Sequence, residues 1–364
     1  MKIEELDTPA IIVDLDILEN NIRSLSQYAR EHRIRLRPHT KTHKIPAIAK
    51  MQIDSGCRGI TVAKVGEAEV MAGAGIDDIL IHYPVFGAAK TARLAELAKS
   101  RKMTVAVDSL IAAQAISDAA TQASATIRLL VEFDAGMHRC GVQSPEEVVA
   151  LASAIEKMPH VQFAGVTMYP GQIWLPPDQQ PSALATLGQQ VRQVLDALDR
   201  AGIACETVSG GSTPTAYNSH LVDGLTEMRP GTYVFNDRNT IGVGACEVSQ
   251  SALRVLVTVV SNAVPDRAII DGGSKTFSSD RWLSGEKTGF GYVTEFPELR
   301  FEAMSEEHGH LDVRESPHKP RIGEKLTVVP NHVCACVNMH NRIHYHRDGI
   351  VEGYWEVAAR GQVR

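Results

Sequence analysis

Short apolar, β-branched runs recur along the first part of the chain, with amphipathic stretches between them. The runs predict strands at Ile34–Arg37, Gly59–Ala63, Ile79–Tyr83, Thr104–Val107, Thr126–Phe133, Gln162–Met168, Cys205–Val208 and Thr226–Arg229. Leu18, Ile22, Leu25 and Ala29 recur at 4-3-4 spacing, one face of a helix. Asp16, with Glu19 three residues on, predicts a capping box at its start. Ser144-Pro145-Glu146-Glu147 predicts a second helix start, with an N-cap, proline in the first turn and a carboxylate three residues after the cap. Leu184–Leu198 is a third amphipathic helix. Such alternation predicts a parallel sheet with crossover helices, and eight strands suit a closed (β/α)8 TIM-type barrel better than an open sheet.

After about residue 250 the pattern changes. Leu253–Ser261, Arg267–Asp271, Lys325–Val329 and His332–Val337 read as strands separated by turns, with no long helix among them. The expected organisation is therefore α/β. An N-terminal strand segment (1–16) pairs with the β domain, a barrel spans 17–248, and a smaller C-terminal β domain spans 249–364.

Composition changes this picture little. The 364 residues are 44% hydrophobic and 22% charged, ordinary for a globular chain with a large core. A net charge of −6 argues against a nucleic-acid surface. No apolar run approaches the ~18 residues of a membrane span, and the first residues lack the apolar core of a signal peptide. Six cysteines are scattered rather than laid out as a disulfide frame, so a cytoplasmic protein is expected.

In a barrel of this kind, chemistry sits just beyond the C-terminal ends of the strands. There the chain places Pro38-His39-Thr40-Lys41-Thr42-His43-Lys44, then Glu132-Phe133-Asp134 leading to Arg139, then Tyr169-Pro170-Gly171. Ser209-Gly210-Gly211-Ser212-Thr213 and Arg229-Pro230-Gly231-Thr232-Tyr233 follow. Glycine turns at strand ends free backbone N–H groups to cradle an anion, although Gly210-Gly211 alone also suits a plain tight turn. Neither turn is a P-loop or a dinucleotide fingerprint, which points to one phosphate on a small cofactor. A lysine beside a phosphate site suggests an amine that attacks a carbonyl, and Lys41 lies nearest the strand end.

A second feature is Pro330-Asn331-His332-Val333-Cys334-Ala335-Cys336-Val337-Asn338. On a strand, His332 and Cys334 would share a face and could reach one transition-metal ion, leaving positions open for water or substrate. A half-buried histidine beside a structural cysteine fits the same residues. His340, His344 and His346 read as surface, Asp77-Asp78 as a turn, and Glu306-Glu307-His308-Gly309-His310 as a solvated loop. No GxSxG or HExxH motif occurs.

These residues resemble the fold-type III pyridoxal-phosphate enzymes, within them the D-threonine aldolase and D-serine dehydratase group, from Asp7-Thr8-Pro9 to the terminal Trp355-Glu356-Val357-Ala358-Ala359-Arg360-Gly361. The resemblance implies an alanine-racemase-like barrel, pyridoxal 5'-phosphate (PLP) carried on Lys41, and Arg139 at the cofactor's phenolic oxygen. It places Tyr169 near the ring, and Gly210, Gly211, Ser212, Thr213, Gly231, Thr232 and Tyr233 around the phosphate. Glu306, in the Ser305-Glu306-Glu307-His308-Gly309 segment, approaches the pyridine nitrogen in this scheme. The family's divalent metal (Zn, Mn or Mg) maps onto His332 and Cys334. Aldolases of the group carry His-x-Asp at that pair and dehydratases His-x-Cys. The histidine that aldolases often carry after Tyr169 is missing here.

The implied activity is cleavage of D-3-hydroxy amino acids to glycine and an aldehyde. The alternative is dehydration of D-serine or 3-hydroxy-D-aspartate to a 2-oxo acid and ammonia, and a racemase is a third reading. A homodimer is implied.

Overall fold

Several barrel strands carry consecutive buried apolar residues: Ile79, Leu80 and Ile81 in one, Leu129, Leu130 and Val131 in another. Such runs belong to parallel strands covered on both faces. The computed structural model, which describes residues 1–283 and 289–364, divides into two units. One comprises Arg23–Lys41, Pro46–Gly231 and Gly361–Arg364; the other comprises Met1–Ile22, Thr42–Ile45 and Thr232–Arg360.

In the first unit eight parallel strands run in the order Arg35–Leu36, Glu227–Met228, Thr207–Gly210, Val161–Thr167, Ile127–Glu132, Lys102–Val107, Asp78–Ile81 and Ile60–Val62. A parallel bridge between His39 and Thr61, with the Thr61 N–H donating to Pro38 O at 2.8 Å, closes the ring. All eight predicted barrel strands are present, with ends shifted by at most two residues. Side chains alternate: Leu80, Leu130 and Ala164 form a small cluster of their own. Their neighbours Ile79, Ile81, Leu129 and Val131 join the larger core with the helices.

The lower barrel is polar and paired. Arg37, 5% exposed, donates from Nε to Glu227 Oε2 (2.9 Å) and from Nη1 to Asp78 Oδ1 (2.6 Å). Asp78 is thus a strand residue holding a buried arginine, not part of a turn. At Gly165, φ is +128° and a Cβ would stand 2.0 Å from Thr207 O, so only glycine allows the two strands to approach.

The first helix, Leu15–Glu31, is opened by Asp14, whose Oδ1 accepts the N–H groups of Asp16 (3.0 Å) and Ile17 (3.1 Å). The cap therefore lies two residues before the Asp16 expected from sequence. Ser144 caps Pro145–Ile155 as predicted, accepting from Glu147 N–H at 3.2 Å.

The second unit is a nine-stranded, largely antiparallel sheet. Its order is Arg267–Ile270, Gly309–Asp312, Arg300–Met304, Gly291–Val293, Lys325–Pro330, Leu253–Ser261, Ala10–Asp14, Arg342–Arg347 and Ile350–Glu356. A further pairing of Arg267–Ile270 with Leu253–Ser261 bends six of these strands into a closed ring. Ala10–Asp14 pairs antiparallel to Leu253–Ser261 and parallel to Arg342–Arg347.

The expected strand His332–Val337 is instead a helix, Val333–Met339. Its buried residues, Val333, Cys336 and Val337, follow the i, i+3, i+4 spacing of a helix face, which the alternation of Val333, Ala335 and Val337 masked. His346 is buried, not a surface residue as expected.

Candidate active site

Lys41 stands beyond the strand Arg35–Leu36 in the short 3-10 turn Thr40–Thr42, exposed at the barrel mouth, with its N–H donating to His39 Nδ1 at 3.3 Å. Arg139 lies in the loop after Ile127–Glu132, its guanidinium over the Tyr169 ring at 4.8 Å. Asp134 shapes that loop: Oδ1 accepts the N–H groups of Gly136 and His138, each at 2.9 Å, and Oδ2 lies 2.7 Å from His138 Nδ1. Burial alone would raise the Asp134 carboxyl, but these bonds hold it below its ordinary range. Gly211, at φ +87°, turns the chain after Thr207–Gly210. Ser212 is buried there with its hydroxyl 3.1 Å from Thr215 Oγ1, and Thr213 follows, half-buried.

Beneath the mouth runs a buried polar chain. His82 Nε2 lies 3.1 Å from the Thr167 hydroxyl, which donates to Ser209 O at 3.1 Å. The Ser209 hydroxyl donates to Glu227 Oε1 (2.7 Å) and accepts from Arg229 Nη1 (2.6 Å), while Arg229 Nη2 donates to Met168 O (2.9 Å). Burial first, then the positive charges of Arg229, His39, Arg139 and Lys41, drive the His82 pKa well below the usual histidine range. Burial also lowers Arg229 to about 10 and raises Glu132. Several basic groups thus act together on one neutral imidazole, whose hydrogen-bond chain runs through Thr167 to Ser209, just before the turn at Gly211. A phosphate-bearing cofactor fits such a field. His82 stands just past the C-terminal end of a barrel strand, the positional signal that picked out Lys41 and Tyr169, but sequence reading passed over it.

The second unit carries the other predicted residues. Thr232 and Tyr233 lie in the 3-10 turn Thr232–Val234, directly after Gly231. Glu306 is exposed between the strands Arg300–Met304 and Gly309–Asp312, and its carbonyl accepts the Lys275 N–H at 3.1 Å.

His332 is the N-cap residue of Val333–Met339 and directs Nδ1 to Asp237 Oδ2 at 2.9 Å. The Cys334 sulfur lies 3.3 Å from Thr42 Oγ1 and 3.9 Å from Thr232 Oγ1. Cys334 foremost, with Asp237 adding to it, outweighs burial and raises the His332 pKa well above its ordinary range, so imidazole and thiol are neighbours. A helix therefore brings the two donors together in place of the expected strand. An imidazole and a thiolate form a donor pair suited to Zn²⁺ or another transition ion. Among the described residues no group of three or more His, Cys, Asp or Glu is placed to hold a metal ion. Asp237, 95 positions from His332, carried no sequence signal.

The family model for the alanine racemase N-terminal domain matches residues 13–239, and a serine dehydratase domain model matches 252–346. That pair defines the class as alanine-racemase-like, PLP-dependent enzymes of fold type III. The chain is 37% identical over 363 residues to D-threonine aldolase from Arthrobacter sp, covering 98% of this chain and 93% of the relative. The crystal structure of D-threonine aldolase from Filomicrobium marinum matches with TM-score 0.93 at 35% identity, over 99% of this chain and 98% of that one. D-threo-3-hydroxyaspartate dehydratase from Delftia sp. HT23 matches with TM-score 0.90 at 31% identity, over 98% of each chain. A cysteine-to-alanine mutant of a D-threo-3-hydroxyaspartate dehydratase is among the matching structures, in the metal-free form. The chain belongs to the D-threonine aldolase and D-serine dehydratase family.

Proposed function

We propose that this chain is a PLP- and divalent-metal-dependent D-threonine aldolase, cleaving D-3-hydroxy amino acids to glycine and an aldehyde. The observation that carries this reading is the match along nearly the whole chain to D-threonine aldolases, in sequence and in fold.

In this reading Lys41 holds PLP, which when bound supplies an electron sink for charge developing at the substrate Cα. Gly210, Gly211, Ser212, Thr213, Gly231, Thr232 and Tyr233 would hold its phosphate, and Tyr169 and Arg139 its ring and phenolic oxygen. Glu306 is the proposed partner of the pyridine nitrogen. His332 and Cys334 would hold the divalent ion, a Lewis acid that acidifies the substrate β-hydroxyl. Thr42 would steady the Cys334 thiolate by hydrogen bonding. We read the protein as a cytoplasmic homodimer; light scattering on the purified enzyme tests the oligomer.

Dehydration of D-serine or 3-hydroxy-D-aspartate is the second reading, favoured by Cys334 and by the full-length match to a dehydratase. Product analysis separates the two. Purified PLP- and metal-loaded protein is given D-threonine and D-serine separately, with a chelated control and the Lys41→Ala variant. Glycine and acetaldehyde, lost on chelation and in the variant, are expected. Pyruvate and ammonia from D-serine would establish the dehydratase, and turnover untouched by thorough chelation would refute the metal assignment.

A further inference from the structure

Asp237 is buried, 1% exposed, and each of its carboxylate oxygens is engaged. Oδ1 accepts the Thr240 N–H at 2.9 Å and lies 3.0 Å from the Thr240 hydroxyl, closing the capping box of the helix Arg238–Gly242. Oδ2 faces His332 Nδ1 at 2.9 Å and accepts the Val333 N–H at 3.2 Å. The carboxylate is thus fixed at one helix start and grips the imidazole at another. A carboxylate receiving donors on both oxygens offers only acceptor sites to the ring, so the nitrogen facing it must carry a proton.

We propose that Asp237 is a positioning residue that holds His332 in the Nδ1–H form, presenting the Nε2 lone pair as the metal donor. The proposal rests on the reading of His332 and Cys334 as a metal pair. A histidine ligand is oriented, and its tautomer fixed, by whatever its second nitrogen donates to. Asp237 does this from a rigid point, because the bonds at Oδ1 remove its freedom to rotate. Asp237→Asn separates this role from capping of the helix Arg238–Gly242, while also giving up the Val333 N–H bond to Oδ2. Asparagine is as good an N-cap as aspartate and can keep its oxygen on Thr240. Its amide then faces His332 as a donor, which draws the lone pair to Nδ1 and places the proton on Nε2, where the metal should bind.

The test uses full-length, PLP-loaded protein and Zn²⁺ as probe. Zinc affinity is measured by competition with a chromophoric chelator for wild type, D237N, H332A and C334A. Long-range ¹⁵N–¹H spectra of zinc-loaded, ¹⁵N-histidine-labelled wild type read which His332 nitrogen is protonated. The expected result is a proton on Nδ1 and none on Nε2, with about 10–100-fold weaker zinc binding in D237N. PLP absorbance in D237N should be unchanged.

Coordination through Nδ1, or wild-type zinc affinity in D237N while H332A and C334A lose the metal, overturns the role of Asp237 alone. Equal zinc binding by wild type, H332A and C334A overturns the metal reading and this proposal with it. Should D237N fail to fold, the wild-type spectrum decides the question.

Discussion

Replacing Arg37 with methionine should expose the cost of the buried charge at the base of the barrel. In the wild type its guanidinium bonds to Glu227 and Asp78, and the Glu227 carboxylate is 2% exposed. Methionine keeps most of the apolar volume but leaves Glu227 with the Ser209 hydroxyl as its direct hydrogen bond. Asp78, at 20% exposure and 3.9 Å from Arg58, can rehydrate and contributes little to the loss. Most of the cost comes from an uncompensated buried carboxylate, so R37M should destabilise the fold by about 3–5 kcal/mol at pH 7. Equilibrium urea unfolding measures this.

Burial acts to raise the Glu227 pKa, but Arg37, Ser209 and Arg229 outweigh it and lower the pKa below the unfolded value. Its contribution in the wild type is therefore present above the unfolded carboxylate pKa and is lost as pH falls through the folded one. Without Arg37 the folded pKa rises, so the R37M deficit should shrink as pH drops into the carboxylate range. Adding Glu227→Gln should recover about half the loss at pH 7 by removing the charge. A loss below about 1 kcal/mol, or a double variant no better than R37M, would refute the reasoning.

Two further perturbations read the barrel. Gly165→Ala places a methyl against Thr207 O at a backbone angle reserved for glycine, and should cost roughly 3 kcal/mol or more. Thermal melting checks this, and an unchanged Tm would contradict the strand geometry. His82 is held neutral by burial and the surrounding cations, so its folded pKa lies below the unfolded one. Its contribution is lost as pH falls below about 6.5, at up to about 1.4 kcal/mol per pH unit. His82→Gln, which can keep a bond to Thr167, should flatten that part of the stability profile relative to wild type. Parallel profiles would show that His82 protonates in the fold.

The barrel was legible because most of its strands carry a short apolar, β-branched stretch, whose meaning does not depend on distant partners. The glycine turns and Lys41 were legible for a related reason, since position at a strand end is itself the signal. The His332 segment was ambiguous: Val333, Ala335 and Val337 satisfy a strand, while Val333, Cys336 and Val337 satisfy a helix. Only the packing of Cys336, whose sulfur contacts Thr276 O at 3.2 Å, decides between them. Asp237 lay beyond local reasoning because its significance is a pairing across 95 residues. The same holds for Asp78, which looks like a turn until Arg37, 41 positions earlier, is brought against it.

The strand Ala10–Asp14 has a consequence for the order in which the molecule can be made. It sits between Leu253–Ser261 and Arg342–Arg347, and Thr8 beside it bonds to Asp271, 263 positions away. During synthesis this early segment has no partners until most of the chain has left the ribosome. The eight parallel strands, by contrast, are complete once Glu227–Met228 emerges. The barrel can therefore close as a folding unit of its own while the first strand waits. The ring of antiparallel strands, and with it the pairing of Asp237 and His332, is completed last. A nascent chain arrested before Lys325–Pro330 should accordingly hold a formed barrel and an N-terminal strand still open to protease.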